Sequence, residues 1–306
     1  METALPTAAS RTSSDTAKAT GFLVQIHPVD LRGELIPLSG DRFVLGRDPL
    51  CHLQLASEAA SRFHAALERD NVGFEVSALK GASSLYVNHV RVPRAALRSG
   101  DRIQVGGQVF KFLTAARVEA EYQETLCAIR THDGLTGLLN RLAFTEMLGR
   151  TAREGAPAAL LLLEIDRFQD LRTTHGALAG DEVIQEVAHR LRSAATTKAT
   201  VARLGETLFG VLLAGQIDAQ ALDVADRMRT ATSARRFDAS AGLLRVTLSG
   251  GLSIAASGTA DSGPVDSAAW VRQAESLLQH AIAAGGDQLA ADRLSAAEER
   301  PTPCFA

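Results

Sequence analysis

Residues 158–165 read Ala158-Ala159-Leu160-Leu161-Leu162-Leu163-Glu164-Ile165, the most apolar run in the chain. The run falls well short of the roughly 20 apolar residues that span a bilayer, and its length suits a buried strand. Working outward, Asn140 to Arg153 reads as a helix before it and Ala179 to Ala195 as a helix after it. Strands over Thr200–Leu204 and Leu208–Leu213, a helix from Asp218 to Ala234, a strand over Leu243–Ile254 and a helix from Ser267 to Ala284 follow. A small-residue connection runs from Ser257 to Gly263. Helices and strands in this order build an α/β domain with a central sheet flanked by helices.

Ahead of that domain the texture changes to short strands. Phe22–Ile26, Arg42–Leu45, His52–Leu55, Ala65–Glu68, Phe74–Val76, Leu85–Val87, Arg102–Val105 and Val109–Leu113 include several that alternate apolar with polar residues. Asp70-Asn71, Ser99-Gly100-Asp101 and Gly106-Gly107 supply turns between them. The expected fold is an all-β antiparallel sandwich. The chain therefore divides into a flexible tail at 1–20, a β-sandwich at 21–114, a linker helix at 115–132, an α/β domain at 133–294 and a second tail at 295–306. In the linker, Val118, Tyr122, Leu126 and Ile129 form one apolar stripe. It either packs on its own domain or joins two copies in a short parallel coiled coil.

Bulk properties exclude several classes. Hydrophobic residues make up 46% and charged residues 22% of 306, with a formal net charge of −3. No global field draws such a chain to nucleic acid or anionic lipid. Cys51, Cys127 and Cys304 form no C-x-x-C pair, which fits a reducing cytoplasm better than a disulfide framework or a zinc site. The start, Met1-Glu2-Thr3-Ala4-Leu5-Pro6, has neither a basic nor an apolar leader region, so the expected location is cytoplasmic. Ser, His and Asp occur without a motif that places a nucleophile on a strained turn, and the histidines of the second half lie singly.

Within the β-rich block, Gly46-Arg47, Ser61-Arg62-Phe63-His64, Val87-Asn88 and Gly100-Asp101-Arg102-Ile103 occur in one order. That order and spacing resemble the forkhead-associated (FHA) family, β-sandwiches whose loops bind phosphothreonine. Such a ligand carries nearly two negative charges and needs a fixed cation with hydroxyl or amide donors. The resemblance implies that Arg47 and Ser61 contact the phosphate, that Arg62 makes a flanking contact, and that His64 supports the loop. Ser83 stands where a peptide-gripping asparagine is usual, and Asn88 is followed by His89 where glycine is common. Binding is expected to survive with a weaker or shifted preference.

In the α/β domain, Asp133-Gly134-Leu135-Thr136-Gly137-Leu138-Leu139-Asn140-Arg141 is similar to the D-x-L-T-G-L-x-N-R opening of GGDEF domains. Glu164-Ile165-Asp166-Arg167-Phe168, Gly180-Asp181 and Arg203-Leu204-Gly205-Glu206-Thr207-Leu208-Phe209 fall at three further landmarks of that family, the last at R-x-G-G-[DE]-E-F. Active members condense GTP into cyclic di-GMP, using metal-held triphosphate, and metal on phosphate favours carboxylate ligands. The resemblance leaves Glu164 and the Ile165 carbonyl as residual metal or nucleotide positions and Asp181 as a residual base contact. It also exposes losses. Thr207 replaces a ligand acid, Glu206 the second glycine and Leu208 the following acid. Ile282 and Gly286 replace a lysine and an arginine, Arg172 a guanine-contacting asparagine, and Thr196 and Ala199 the ends of a product-binding R-x-x-D. Removing a metal ligand or the phosphate cations costs several kcal/mol of transition-state stabilisation each, on the order of a thousandfold in rate.

The expectation is a degenerate diguanylate cyclase domain with no intact catalytic residue and no confident metal site. No cofactor is expected, with magnesium only if residual GTP binding exists. The whole reads as a signalling adaptor whose partner is a phosphothreonine protein or its own phosphorylated tail (Thr3 to Thr12). It would act with a homodimer or GGDEF heterodimer partner, away from nucleic acid and membrane. The alternatives are a weak or partner-completed cyclase and a nucleotide-sensing receptor.

Overall fold

The computed structural model describes residues 21–29, 33–69, 73–82, 84–216, 218–255 and 265–294. Both expected tails, the Asp70-Asn71 turn, Ser83 and the whole 257–263 connection lie outside them. The chain divides into two compact units between Ile129 and Arg130. Among the described residues, no helix is long and apolar enough to cross a membrane.

The first unit is a two-sheet β-sandwich. β1 (Gly21–His27), β2 (Leu35–Pro37), β7 (Leu85–Val87), β8 (Val90–Arg91), β10 (Arg102–Val105) and β11 (Gln108–Thr114) form one sheet in the order β2-β1-β11-β10-β7-β8. β3 (Arg42–Gly46), β4 (Leu53–Gln54), β5 (Ala65–Arg69), β6 (Phe74–Ala78) and β9 (Arg94–Leu97) form the other, in the order β4-β3-β5-β6-β9. Leu23, Leu45, Leu67, Val76, Ile103 and Phe110, drawn from both sheets, share one buried core. This alternation of inward apolar and outward polar positions is what two packed sheets require. One ladder departs from the antiparallel expectation. β3 and β4 pair in parallel over Leu45↔Leu53 and Gly46↔Gln54.

Helix α1 (Val118–Thr131) follows β11. Its fully buried positions are Glu121, Thr125 and Ile129, while Val118, Tyr122 and Leu126 are half-buried. The face is held by polar groups of the β-sandwich as well as by apolar contact. Tyr122 donates from its hydroxyl to the Gly33 carbonyl at 2.7 Å. Glu121 accepts from the Ser99 hydroxyl and pairs with Arg117 at 2.9 Å. Of the two readings of the stripe, these bonds support packing on its own domain.

In the second unit, β12 (Ala158–Ile165) is the central strand of a five-stranded sheet. β13 (Ala199–Arg203) and β14 (Leu208–Ala214) lie on one side, β17 (Leu248–Ala255) and β18 (Leu289–Arg293) on the other, in the order β13-β14-β12-β17-β18. Alternate residues of β12 face opposite sides. Leu160 and Leu162 join a core with Phe144 and Leu148 of α2 (Arg141–Glu154) and Trp270 and Leu278 of α5 (Ser267–Ala283). The other face is covered by α3 (Phe168–Ala194) and α4 (Asp218–Ser233). Gly251 admits α5 to the sheet, because a Cβ there would strike the Ala274 carbonyl and the Leu278 amide.

The second unit differs from the sequence expectation in three places, and the first adds the short strands β2, β8 and β9. The Leu243–Ile254 strand is broken: Leu243 and Leu244 belong to a hairpin of β15 (Phe237–Ala239) and β16 (Gly242–Leu244), and β17 starts at Leu248. Just before β17 the Thr247 carbonyl accepts from the Asp166 amide at 3.0 Å, which carries the β12 pairing one residue past its last ladder pair, Ile165↔Leu248. α3 begins at Phe168 rather than Ala179 and is interrupted at Gly176, whose φ of 86° is open to glycine. The short edge strand β18, with its last three residues exposed, carries no sequence periodicity strong enough to announce it.

Candidate functional site

Two constellations hold the residues singled out by sequence. The first is built on loops of the β-sandwich. Gly46 ends β3, and a Cβ there would collide with the Arg62 carbonyl, so glycine is what lets two loops touch. Across that contact the Arg47 amide donates to the Ser61 carbonyl and the Asp48 amide to the Arg62 carbonyl, both at 3.0 Å. Arg62 donates through Nε and Nη2 to Asp48 Oδ2 at 3.0 and 2.7 Å. Those bonds hold the Asp48 carboxyl below its usual range.

His64 ties in a third loop. It is fully buried, accepts at Nδ1 from the Ser61 amide at 3.0 Å and meets the Ser84 carbonyl through Nε2 at 2.6 Å. Those partners require the proton on Nε2. Burial pushes the imidazole below its ordinary pKa, against the Ser84 bond, so the ring is a neutral strut. The Ser61 hydroxyl donates to the Gly81 carbonyl at 3.1 Å. Arg47 stands exposed on this framework, its Nε donating to the Ala60 carbonyl at 3.3 Å. Among the described residues no carboxylate forms an ion pair with it.

Arg47, Ser61, Arg62 and His64 are therefore brought together, and Asn88 is not. Asn88 lies beyond the opposite end of β7 from Ser84, in a two-residue turn with φ of 50° at Asn88 and 69° at His89. Its Nδ2 donates to Asp101 at 2.8 Å and its Oδ1 accepts from the Arg102 amide at 2.9 Å. Both ends of the side chain are spent on holding the β7–β8 turn to β10. Ser83 is outside the described residues.

The second constellation is a cleft of about 500 Å³ lined by Glu164, Ile165, Asp166, Glu206, Thr207 and Ile282, with Arg167, Phe168, Gln169, Gly285 and Gly286 completing it. The Thr207 hydroxyl donates to Glu164 Oε1 at 3.3 Å. Asp166 is a structural hub. Its Oδ1 accepts from the Ser249 hydroxyl at 2.6 Å, and its Oδ2 accepts from the Thr247 hydroxyl at 2.6 Å and the Asp287 amide at 3.0 Å. Gly286 has φ 77° and would place a Cβ 3.2 Å from that carboxylate. Asp287 in turn binds Arg229 at 2.6 Å. Sequence reasoning missed Asp166 and Arg229, since neither stands at a departure from a motif.

The hairpin between β13 and β14 is braced by three guanidinium groups. Arg141 donates to the Leu204 carbonyl at 2.6 Å, Arg203 to the Glu206 carbonyl at 3.1 Å, and Arg172 pairs with the Glu206 carboxylate. Arg203 also reaches both oxygens of Asp133 at 3.2 Å. Burial raises Asp133, but Arg203 and the Thr136 hydrogen bonds outweigh it and hold that carboxyl below its usual range. Asp181, beside them, goes the other way. Burial pushes it up to about 6, against the pull of Arg203 and Arg172 and with the push of Glu206. Leu208 is half-buried and packs against the Phe144–Trp270 core.

This donor set does not fit a divalent ion. Glu164 faces a neutral hydroxyl, Asp166 is occupied by three donors, and Glu206 is occupied by Arg172. Among the described residues no group of three or more His, Cys, Asp or Glu side chains is placed to hold a metal.

Comparison with known proteins matches residues 130–288 to the model of the diguanylate cyclase GGDEF domain and residues 43–106 to that of the FHA domain. Diguanylate cyclase DgcP of Pseudomonas aeruginosa is 34% identical over 161 residues, 51% of this chain and 23% of that protein. Response regulator PleD of Caulobacter vibrioides is 35% identical over 153 residues, 48% of this chain and 33% of its own length. The chain thus spans a third or less of these relatives. A solved structure of the coiled coil and GGDEF domain of DgcB from Caulobacter crescentus, in complex with c-di-GMP, superposes with a TM-score of 0.51. Its identity is 26%, over 58% of this chain and 94% of that one.

Proposed function

Since the chain belongs to the diguanylate cyclase GGDEF family and carries an FHA domain ahead of that domain, we propose that it is a signalling adaptor in which the first domain binds phosphothreonine and the second makes no cyclic di-GMP. The observation that carries the catalytic half is the charge of the cleft. Three carboxylates and one guanidinium line it, and the positions where the family resemblance places cations are Ile282 and Gly286. A triphosphate entering would meet net negative charge with no second metal-binding acid to offset it. Asp166 and Glu206 cannot be recruited without breaking the bonds that hold Asp287 and Arg172.

The binding half is supported by Arg47, an exposed guanidinium on loops cross-tied by backbone bonds and by His64. Preorganisation of this kind lowers the ordering cost of binding a dianionic phosphate. An outside phosphothreonine protein and the chain's own tail at Thr3 to Thr12 present the same group. The reading places the protein in the cytoplasm with no cofactor. Its test is incubation of the chain with GTP and magnesium or manganese, followed by product analysis. No cyclic di-GMP above a protein-free blank is expected. Turnover that Glu164→Ala abolishes would overturn the proposal.

A further inference from the structure

The loops that present Arg47 also leave apolar side chains exposed to solvent. Leu50 is 82% exposed and Phe63 is 40% exposed, two of the largest apolar side chains left to solvent in the first unit. Both hang from the same buried carboxylate. Asp48, 8% exposed, accepts from the Leu50 amide through Oδ1 at 3.1 Å and from Arg62 through Oδ2 at 2.7 Å, and Phe63 is the next residue. The Leu50 and Phe63 backbones are thereby fixed within one hydrogen-bonded loop pair, the pair that carries Arg47 and Ser61.

Single exposed apolar residues are ordinary, whereas two on preorganised loops beside an exposed cation mark a binding face. The charge of the face selects the ligand. Arg47 and the exposed Lys80, next to the Gly81 held by Ser61, attract an anion. Asp48 is neutralised by Arg62, and the exposed Glu58 on the same loop opposes further acid.

We propose that this face takes a phosphothreonine segment that carries a large apolar side chain close to the phosphothreonine, seated on Leu50 and Phe63, and that it disfavours an acidic neighbour there. The inference rests on the phosphothreonine reading of the first domain and adds its specificity. The apolar contact is made with the loops already rigid, so it costs little further ordering of the protein.

The test is fluorescence anisotropy of the full chain with a set of phosphothreonine peptides in which each flanking position in turn is Leu, Ala or Asp, each with its unphosphorylated counterpart. At one position Leu should bind roughly five- to tenfold more tightly than Ala, the scale of one partly buried apolar side chain, and Asp more weakly than Ala. In Leu50→Ser the ratio of Leu to Ala should fall to about one. Leu50 is exposed, so the substitution leaves the core alone, and a thermal melt checks this. Phosphorylated peptides that bind without any preference for Leu would overturn this inference and leave the phosphothreonine reading standing. So would a preference that survives Leu50→Ser. Equal binding of phosphorylated and unphosphorylated peptides would bring down both.

Discussion

Arg47 and Arg62 are near neighbours in space with separable roles. Arg47→Ala removes an exposed guanidinium with one backbone bond, so the fold should stand. Loss of a charge-assisted phosphate contact costs about 1.5–3 kcal/mol, so phosphopeptide affinity should fall tenfold or more. Calorimetric titration of one phosphothreonine peptide into both proteins checks this. Arg62→Ala instead leaves the buried Asp48 carboxylate without its cation, and the melting temperature of the first domain should drop. The sign with pH follows. Asp48 is depressed in the folded state, so its contribution is present above the ordinary carboxylate range and lost as pH falls through the lowered value. Arg62→Ala should reduce that acid sensitivity, leaving the part that the Leu50 amide supplies. That Arg47 and Ser61 are candidates for one site was legible in sequence because their motifs are local. The service of Arg62 to Asp48 was not, because it depends on two loops meeting across Gly46.

At the scale of elements, glycine and arginine decide geometry that hydrophobic periodicity leaves open. Gly251 lies where β17 meets the backbone of α5. Gly251→Ala should destabilise the second domain by roughly 1–3 kcal/mol or more, because a backbone helix, unlike a side-chain tip, cannot give way. A denaturant midpoint followed by Trp270 emission measures it. The β13–β14 hairpin shows the same logic. Glu206 and Arg172 both depart from the family pattern, and they pair with each other. Restoring Thr207→Glu alone should yield no cyclic di-GMP, since Ile282 and Gly286 remain. Adding Gly286→Arg should not rescue it, because φ there is 77° and the Asp166 carboxylate sits against the new Cβ. Product analysis of both variants tests this. Element order and most strands were readable from period and turns, whereas the break before Leu248 was not, because Leu243 and Leu244 pair with Asp238 and Phe237 in a separate hairpin.

For the whole molecule, the two units should answer acid in opposite directions. Buried His64 has a depressed pKa, so the stability it contributes is full above its unfolded value of about 6.5 and is lost as pH falls. Asp181 is raised to about 6, so its contribution is full below the ordinary carboxylate range and lost as pH rises through that value. Asp48 and Asp133, both lowered, respond only at more acidic pH. Between about pH 7.5 and about pH 5.5 the first unit should therefore lose stability while the second gains it. The chain supplies its own reporters, a single tryptophan, Trp270, in the second unit and its two tyrosines, Tyr86 and Tyr122, in the first. Denaturation followed separately in the two emissions measures the effect, and midpoints that move together would contradict it. The sequence by itself determined the order of the two domains, the loop cation Arg47 and the uncharged residue types at Thr207, Leu208, Ile282 and Gly286, since each is a statement about residue type within a short motif. Only the tertiary structure decided which charges remain free. Asp166 is consumed by Thr247, Ser249 and Asp287, separated from it by 81, 83 and 121 residues, Glu206 by Arg172 at 34, and Asn88 by Asp101 at 13. A side chain has few hydrogen-bonding positions, and which groups fill them depends on what folding brings near, a matter on which chain neighbours carry no information.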